Sequence, residues 1–352
     1  MIDFYKNTIY RADLAQTIEQ TTGFSSLRNK SVLITGVTGL IGSFLADTLM
    51  YANETLDAHI HVYAIGRNMQ RLLNRFPSFK DTTWFHPIEQ DVNEPLAFDF
   101  KVDYVIHAAG NAYPAAFETN PVETILSNIS GTHRLLEYAH TIRATCFLFI
   151  SSGEVYGENQ EDTLSEDFSG YINPMSVRSC YPTAKRTAEN LCVAYTHQYG
   201  LHTVVARLCH TYGPNVTSFD NRASVQFINQ ALKGENIVLK SRGTQRRSYC
   251  YVADSAAGIF SILLKGEKAR AYNVANPSSI VTVAGLAEEI ARQAHVKIVY
   301  QNLEKKDFET PITHAVLDAQ KLESLGWSGR YCLPEGIEHT LKILKENEKR
   351  EF

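Results

Sequence analysis

The sequence predicts an α/β fold, a doubly wound parallel sheet followed by a smaller and less regular α/β unit at the C-terminal end. Two observations predict it. From residue 31 short β-branched runs alternate with longer helical patterns in a repeated βαβ order, and a glycine triplet stands directly after the first of those runs, at the start of an apolar helix. The thirty residues ahead of this series read as an extension that packs as a helix on the sheet unit. In order, SVLIT (31–35) is the first strand, IGSFLADTLMYA a helix, HVYAIG (61–66) a strand and DYVIH, from residue 103, another. VETILSNISGTHRLLEYAHT is a long helix, and CFLFISS (146–152) a strand that ends in two serines. AKRTAENLCVAYTHQYG is a helix that Gly200 ends, and TVVARL is the next strand. After YGPN (212–215) the pattern weakens. The sheet unit is therefore placed at 31–212 and the smaller unit at 213–352, with 251–276, including the helical YVADSAAGIFSILL, folding back onto the sheet.

Composition narrows the partners. The 352 residues are 44% hydrophobic and 20% charged, enough to bury a large core. A net charge of −4 provides no basic field for nucleic acid or an anionic membrane, so neither is expected and a small-molecule partner is. Cys146, Cys180, Cys192, Cys209, Cys250 and Cys332 are scattered, without a CxxC or a Cys/His cluster, which reads as free thiols in a reducing compartment and no metal site. The first residues lack an apolar stretch of secretory length, and no run of eighteen apolar residues occurs, so the expected location is the cytoplasm.

GVTGLIG places Gly36, Gly39 and Gly42 between a strand and a helix, with Leu40 and Ile41 opening the helix. Glycines there let a pyrophosphate approach backbone N–H groups at the helix N-terminus, whose partial positive charge stabilises it. The second strand ends as AIGRN, without the acidic residue that would hold a ribose 2′-hydroxyl. Arg67 stands there, and a guanidinium suits a 2′-phosphate, so NADP is favoured over NAD. Asp91 and Val92, after the third strand, suit the adenine.

SCYPTAKR puts Tyr181 and Lys185 four residues apart on one helix face. An ammonium beside a phenol favours the phenolate, so Lys185 is expected to lower the Tyr181 pKa toward the range useful for proton transfer with a sugar hydroxyl. Ser152, at the end of CFLFISS, is within reach of the same oxygen in this reading.

With HAAG (107–110), NISGT (128–132), SSGEVYG (151–157), YGPN and QRRSYCYVAD (245–254), these motifs resemble the extended short-chain dehydrogenase/reductases of the NAD-dependent epimerase/dehydratase family, which modify nucleotide sugars. NPMSVRSCYPTAKR and SFDNRASVQFI look most like the UDP-glucuronate decarboxylases within it. The resemblance implies a Rossmann domain holding NAD(P), a C-terminal domain holding a nucleotide-diphosphate sugar, and a homodimer formed through helices near 121–140 and 182–199. It also implies that Ser152, Tyr181 and Lys185 are the catalytic trio, and that Ala108, Ala109 and Asn128 lie beside the cofactor. Arg222 and Arg247 match family arginines that hold the diphosphate, a bidentate task suited to guanidinium, and Arg178 is placed with them.

The departures from the family pattern then decide the expected reaction. Sugar 4,6-dehydratases carry Asp-Glu after the serine and decarboxylases Ser-Glu, whereas this chain has Gly153-Glu154. Glycine neither donates a proton nor hydrogen-bonds through a side chain, so the usual group for dehydration or decarboxylation is missing. Glu154 shares a face with Ser152 and reads equally as a base facing the sugar or as a structural carboxylate. His210 stands where relatives have a substrate-contacting asparagine, while His314, near a phosphate-binding arginine of relatives, reads as structural. The trio, Arg67 and Gly153 together point to an NADPH-dependent reductase of a dTDP-4-keto-6-deoxyhexose for surface polysaccharide. The alternatives are a 4-epimerase or UDP-glucuronate decarboxylase that retains NAD, and a non-catalytic NADP or sugar-nucleotide sensor.

Overall fold

The computed structural model describes residues 3–110, 112–217, 220–301 and 314–348; Ser218 and Phe219 of the SFDNRASVQFI stretch lie outside these. Ahead of the sheet comes α1 (Thr8–Gln20), capped by Asn7, whose side chain accepts from the Ile9 and Tyr10 amides. The βαβ series follows as β1 (Ser31–Thr35), α2 (Leu40–Leu56), β2 (His61–Gly66), α3 (Met69–Arg75), β3 (Phe85–Glu89), β4 (Tyr104–His107), α4 (Pro114–Thr119), α5 (Pro121–Ile142), β5 (Cys146–Ser152), α6 (Cys180–Tyr199) and β6 (Thr203–Leu208). Gly200 ends α6 at φ 73°, the left-handed position expected of it. Beyond β6 run β7 (His210–Tyr212), α7 (Ala223–Leu232), β8 (Ile237–Leu239), β9 (Arg246–Tyr251), α8 (Val252–Lys265) and β10 (Arg270–Val274). The chain continues through β11 (Ile280–Thr282), α9 (Val283–Ala294), β12 (Ile298–Tyr300), β13 (His314–Ala315), α10 (Gln320–Glu323) and α11 (Leu333–Glu348).

The strands of the series pair in parallel into a seven-stranded sheet in the order β10-β6-β5-β4-β1-β2-β3. The direction of winding reverses beside β1, which places a crevice at the carboxyl ends of β1 and β4. Strands buried on both faces must be apolar throughout, and Val32, Leu33, Ile34, Phe147, Leu148 and Phe149 are all fully buried. On one face lie α2, α8 and α1, and on the other α5 and α6, which pack along each other. After α8 the chain returns to the sheet as β10, whose register runs from Arg270 opposite Val204 to Val274 opposite Leu208. A second sheet joins β11, β9 and β13, with β7 also on β9, and β12 pairs with β8. The short β8 lies in the stretch after YGPN where the sequence pattern is weak, and β7 is only three residues long. Their backbones are ordered by partners far along the chain rather than by local alternation.

The N-terminal helix is built into the interior. Tyr10 Oη donates to Asp47 Oδ2 at 2.7 Å, and Asp47 also accepts from Arg75 at 2.6 Å. Asn215, the last residue of YGPN, donates to Ser43 Oγ at 2.6 Å and to the Leu40 carbonyl at 3.1 Å. Helix α1, the first turns of α2 and the YGPN segment are therefore held by one set of largely buried polar contacts, with Arg75 at its edge. None of the helices among the described residues is long and apolar enough to cross a membrane.

Candidate active site

The carboxyl ends of the sheet strands open into a cavity of about 620 Å³. Its wall is contributed by Gly36, Gly39, Leu40, Ile41 and Gly42 after β1, Arg67 after β2, Asp91 and Val92 after β3, and Ala108 and Ala109 after β4. Ser152, Glu154, Tyr181, Lys185, His210 and Arg222 complete the predicted set that faces it.

The glycine turn could cradle a dinucleotide. Gly36 has φ +66°, and a Cβ there would stand 2.5 Å from the Ala108 carbonyl oxygen; one on Gly42 would stand 2.5 Å from the Gly36 carbonyl oxygen. Only glycine lets the first turn of α2 sit this close to β1 and β4, and the α2 N-terminus carries no side-chain cap at Gly39. A bound phosphate would take the place of that cap. The residues present thus fit a nicotinamide dinucleotide. Asn128 is not on the wall but behind it, fully buried, donating to the Thr124 carbonyl at 2.8 Å, and its Oδ1 has no partner.

Tyr181 is buried against Phe117, ring centroids 4.5 Å apart and nearly parallel, so the phenol reaches the cavity on a fixed axis. Burial raises its pKa well above the ordinary phenol value, the Glu154 charge adds to the rise, and Ser152, Arg222 and Arg178 pull against it. This corrects the expectation that Lys185 lowers it. Lys185 Nζ donates to the Ile150 carbonyl at 2.7 Å and sits 4.4 Å over the Phe149 ring. Burial lowers the Lys185 pKa to about 7, so it carries only part of a charge at neutral pH with which to favour a phenolate.

Glu154 is held by Arg178, whose Nη2 donates to both carboxylate oxygens at 2.7 and 2.8 Å. The same guanidinium lies 4.9 Å over the Phe117 ring, so Phe117 is stacked between Arg178 and Tyr181. Arg178 itself is not on the cavity wall, and neither is Arg247, which is buried and donates from Nη1 to the Arg246 carbonyl at 3.1 Å. Arg222 is on the wall, gripped by Asp220 at 2.6 to 3.0 Å. His210 is open to the cavity, and its charged form is disfavoured by the surrounding protein and by Arg247 and Arg222. His314 lies in β13 with its carbonyl accepting from Asn159 at 3.3 Å.

At Gly153 the absent side chain would point away from the cavity. A Cβ there would point to the Leu317 methyls at 3.3 and 3.4 Å and the Leu208 carbonyl at 3.6 Å, and Gly153 does not line the cavity. Sequence reasoning also missed Arg71, Gln90, Tyr113, Thr211 and Asp220, all on the wall. Arg67 precedes the Asn68 cap of α3 and Arg71 lies in its first turn, so the two arginines flank one helix start on the cavity wall. Tyr113 and Asp220 carry no periodic signal. Among the described residues no group of three or more His, Cys, Asp or Glu could hold a metal ion, and all six cysteines are free thiols.

A glycine cradle at the switch point of a parallel sheet, facing a buried Tyr-Lys pair and a strand-end serine, defines an enzyme of the extended short-chain dehydrogenase/reductase type. The chain belongs to the NAD dependent epimerase/dehydratase family, whose profile matches residues 32–275. It is 34% identical to UDP-glucuronic acid decarboxylase 6 of Arabidopsis thaliana, over 88% of this chain and 87% of that one. It is 32% identical to UDP-glucuronic acid decarboxylase 1 of Danio rerio, over 89% and 72%. A solved structure of dTDP-glucose 4,6-dehydratase from Streptomyces venezuelae, with NAD bound, shares the fold at a TM-score of 0.78 and 21% identity, over 91% of this chain and 98% of that one. UDP-glucuronic acid 4-epimerase from Bacillus cereus does so at 0.74 and 23%, over 90% and 99%.

Proposed function

We propose that this enzyme decarboxylates UDP-glucuronate, using a nicotinamide cofactor that it retains and regenerates within each turnover. The reading replaces the NADPH-dependent reductase expected above. Its support from sequence is the identity to the curated decarboxylases over nearly nine-tenths of the chain. The observation that carries it is the pairing of Gly153, which presents nothing to the cavity, with Glu154 held beside Tyr181 by Arg178. Expelling a sugar hydroxyl needs an acid close to it. Loss of carbon dioxide does not, because once C4 is a ketone it accepts the electron pair of the breaking C5–C6 bond, and the enolate so formed takes a proton from water at C5 before C4 is reduced.

Tyr181 takes the proton of the 4-hydroxyl as the ketone forms and returns it at the end, with Ser152 orienting that oxygen and Lys185 fixed on the β5 backbone beside it. When bound, the nicotinamide supplies hydride acceptance and return at C4. Glu154 presents its carboxylate to the sugar hydroxyls, His210 borders the sugar, and Arg222 at the start of α7 meets the diphosphate. Residues from 213 onward, except those returning to the sheet, form the unit that holds the nucleotide. Exposed Val122, Ile125 and Leu126 on α5 and Val193 and Tyr199 on α6 supply the apolar face of a homodimer.

Turnover of UDP-glucuronate to carbon dioxide and a UDP-pentose with no cofactor added is the expected result, read by mass spectrometry. Activity confined to 4-keto-6-deoxy nucleotide sugars with added NADPH would reinstate the reductase. The ribose end favours NADP, because Arg67 and Arg71 both face the cavity there and no acidic residue ends β2. Replacing both arginines with alanine is expected to weaken NADP binding ten- to a hundredfold, the range for lost charge-assisted hydrogen bonds, and NAD binding by less than about threefold. Titration by isothermal calorimetry checks it; equal losses for both cofactors would remove the 2′-phosphate from the argument.

A further inference from the structure

The motif SSGEVYG has two serines, and only Ser152 has a place in the reaction above. Ser151, buried, turns to the other side of the strand and donates to Glu189 Oε1 at 2.5 Å. Glu189 lies one turn beyond Lys185 on α6, so the two share a helix face with Tyr181. From β6, Arg207 closes on the same carboxylate, with Nη2 at 2.7 Å and Nε at 3.1 and 3.2 Å. Arg207 is itself fixed by the Glu166 carbonyl at 2.8 Å and Tyr156 Oη at 3.1 Å. Every oxygen of Glu189 is therefore engaged, in a position that is nearly closed to solvent.

We propose that Glu189, clamped between Ser151 and Arg207, is a positioning residue for Lys185, its fixed negative charge holding the amine charged and in place against β5. Among the described residues, the groups facing Lys185 include no other carboxylate. From α6 they are Tyr181, Glu189 and Cys192; from β4, His107, which burial keeps neutral; from β5, the Phe149 ring and the Ile150 carbonyl. Arg207 pairs with Glu189, and Arg186 lies within electrostatic reach of it. Glu189 opposes the desolvation that drives Lys185 toward neutrality. The inference rests on Lys185 serving the hydride chemistry proposed above, but its test does not need the substrate.

The test is trace labelling of Lys185 with acetic anhydride across pH, quantified by peptide mass spectrometry, which reads the titration of that amine directly. In the native protein the midpoint is expected near 7. Glu189→Gln should lower it by about one pH unit, since an adjacent opposite charge shifts a pKa by roughly one to three units. Glu189→Asp, which draws the charge one methylene back, should lower it by a smaller but resolvable amount, roughly a quarter to a half of a pH unit. A merely structural Glu189 would reduce thermal stability and leave the midpoint where it is, and that result in a folded Glu189→Gln protein overturns the proposal. If Glu189→Gln does not fold, Glu189→Asp carries the test, and an unmoved midpoint there overturns it equally. UDP-glucuronate turnover in the same variants separates the two claims. A shifted midpoint without any such turnover in the native enzyme overturns the decarboxylase reading alone.

Discussion

Tyr181→Phe is expected to lower turnover by about a thousandfold, within the range for loss of a positioned general acid–base, while cofactor affinity and thermal stability stay near native. The phenylalanine ring keeps its stacking on Phe117, so the packing that centres residue 181 is preserved and only the hydroxyl is lost. The pH dependence has a defined sign. Burial and the Glu154 charge hold the Tyr181 proton tightly, so removal of the 4-hydroxyl proton becomes easier as pH rises, and the native rate should climb across the neutral range. The variant's residual rate should lack that climb. A loss below tenfold, or an unchanged slope, would take Tyr181 out of the proton-transfer role and favour a protein that only binds its ligands.

The second large effect is on stability and lies far from the cavity. Asp13 on α1 is fully buried and accepts from Tyr251 at 2.6 Å, Tyr331 at 2.8 Å and His339 Nδ1 at 2.8 Å. It ties the N-terminal helix to β9 and α11. Asp13→Ala leaves two buried phenols without their acceptor and an imidazolium without its counter-charge, a loss of about 3–5 kcal/mol on the scale of broken buried pairs. Urea unfolding is the measurement, with a lower midpoint expected. Its pH dependence is a second signature. The hydrogen bond to Asp13 raises the His339 pKa above its unfolded value of roughly 6.5, so the contribution is complete below that value and is lost as pH rises through the folded one. Asp13→Ala should abolish that loss. A change under about 1 kcal/mol would mean that the helix is not structurally integral.

The sequence by itself determined the parallel sheet, the cofactor cradle and the Tyr-Lys helix, because each is set by short-range physics. Buried strands need unbroken apolar runs such as SVLIT, a dinucleotide turn needs glycine at 36 and 42, and four residues of helix put Tyr181 and Lys185 on one face. Arg67, at the end of β2, lies on the cavity wall, since a strand end in this fold leads to the crevice. Only the tertiary structure decided where side chains on irregular segments point. Arg178 turns back to Glu154, Arg247 is buried behind the wall, and Asp220 holds Arg222, because each guanidinium is placed by a partner from another segment or by loop geometry that carries no periodic signal. The electrostatics of the pair belonged to the third dimension as well. Adjacency on a helix predicted a lowered Tyr181 pKa, but desolvation depends on everything packed around the site, and it drives the tyrosine up and Lys185 down. The direction of the missing side chain at 153 was equally out of reach, since it depends on Leu317, which lies 164 positions further along the chain.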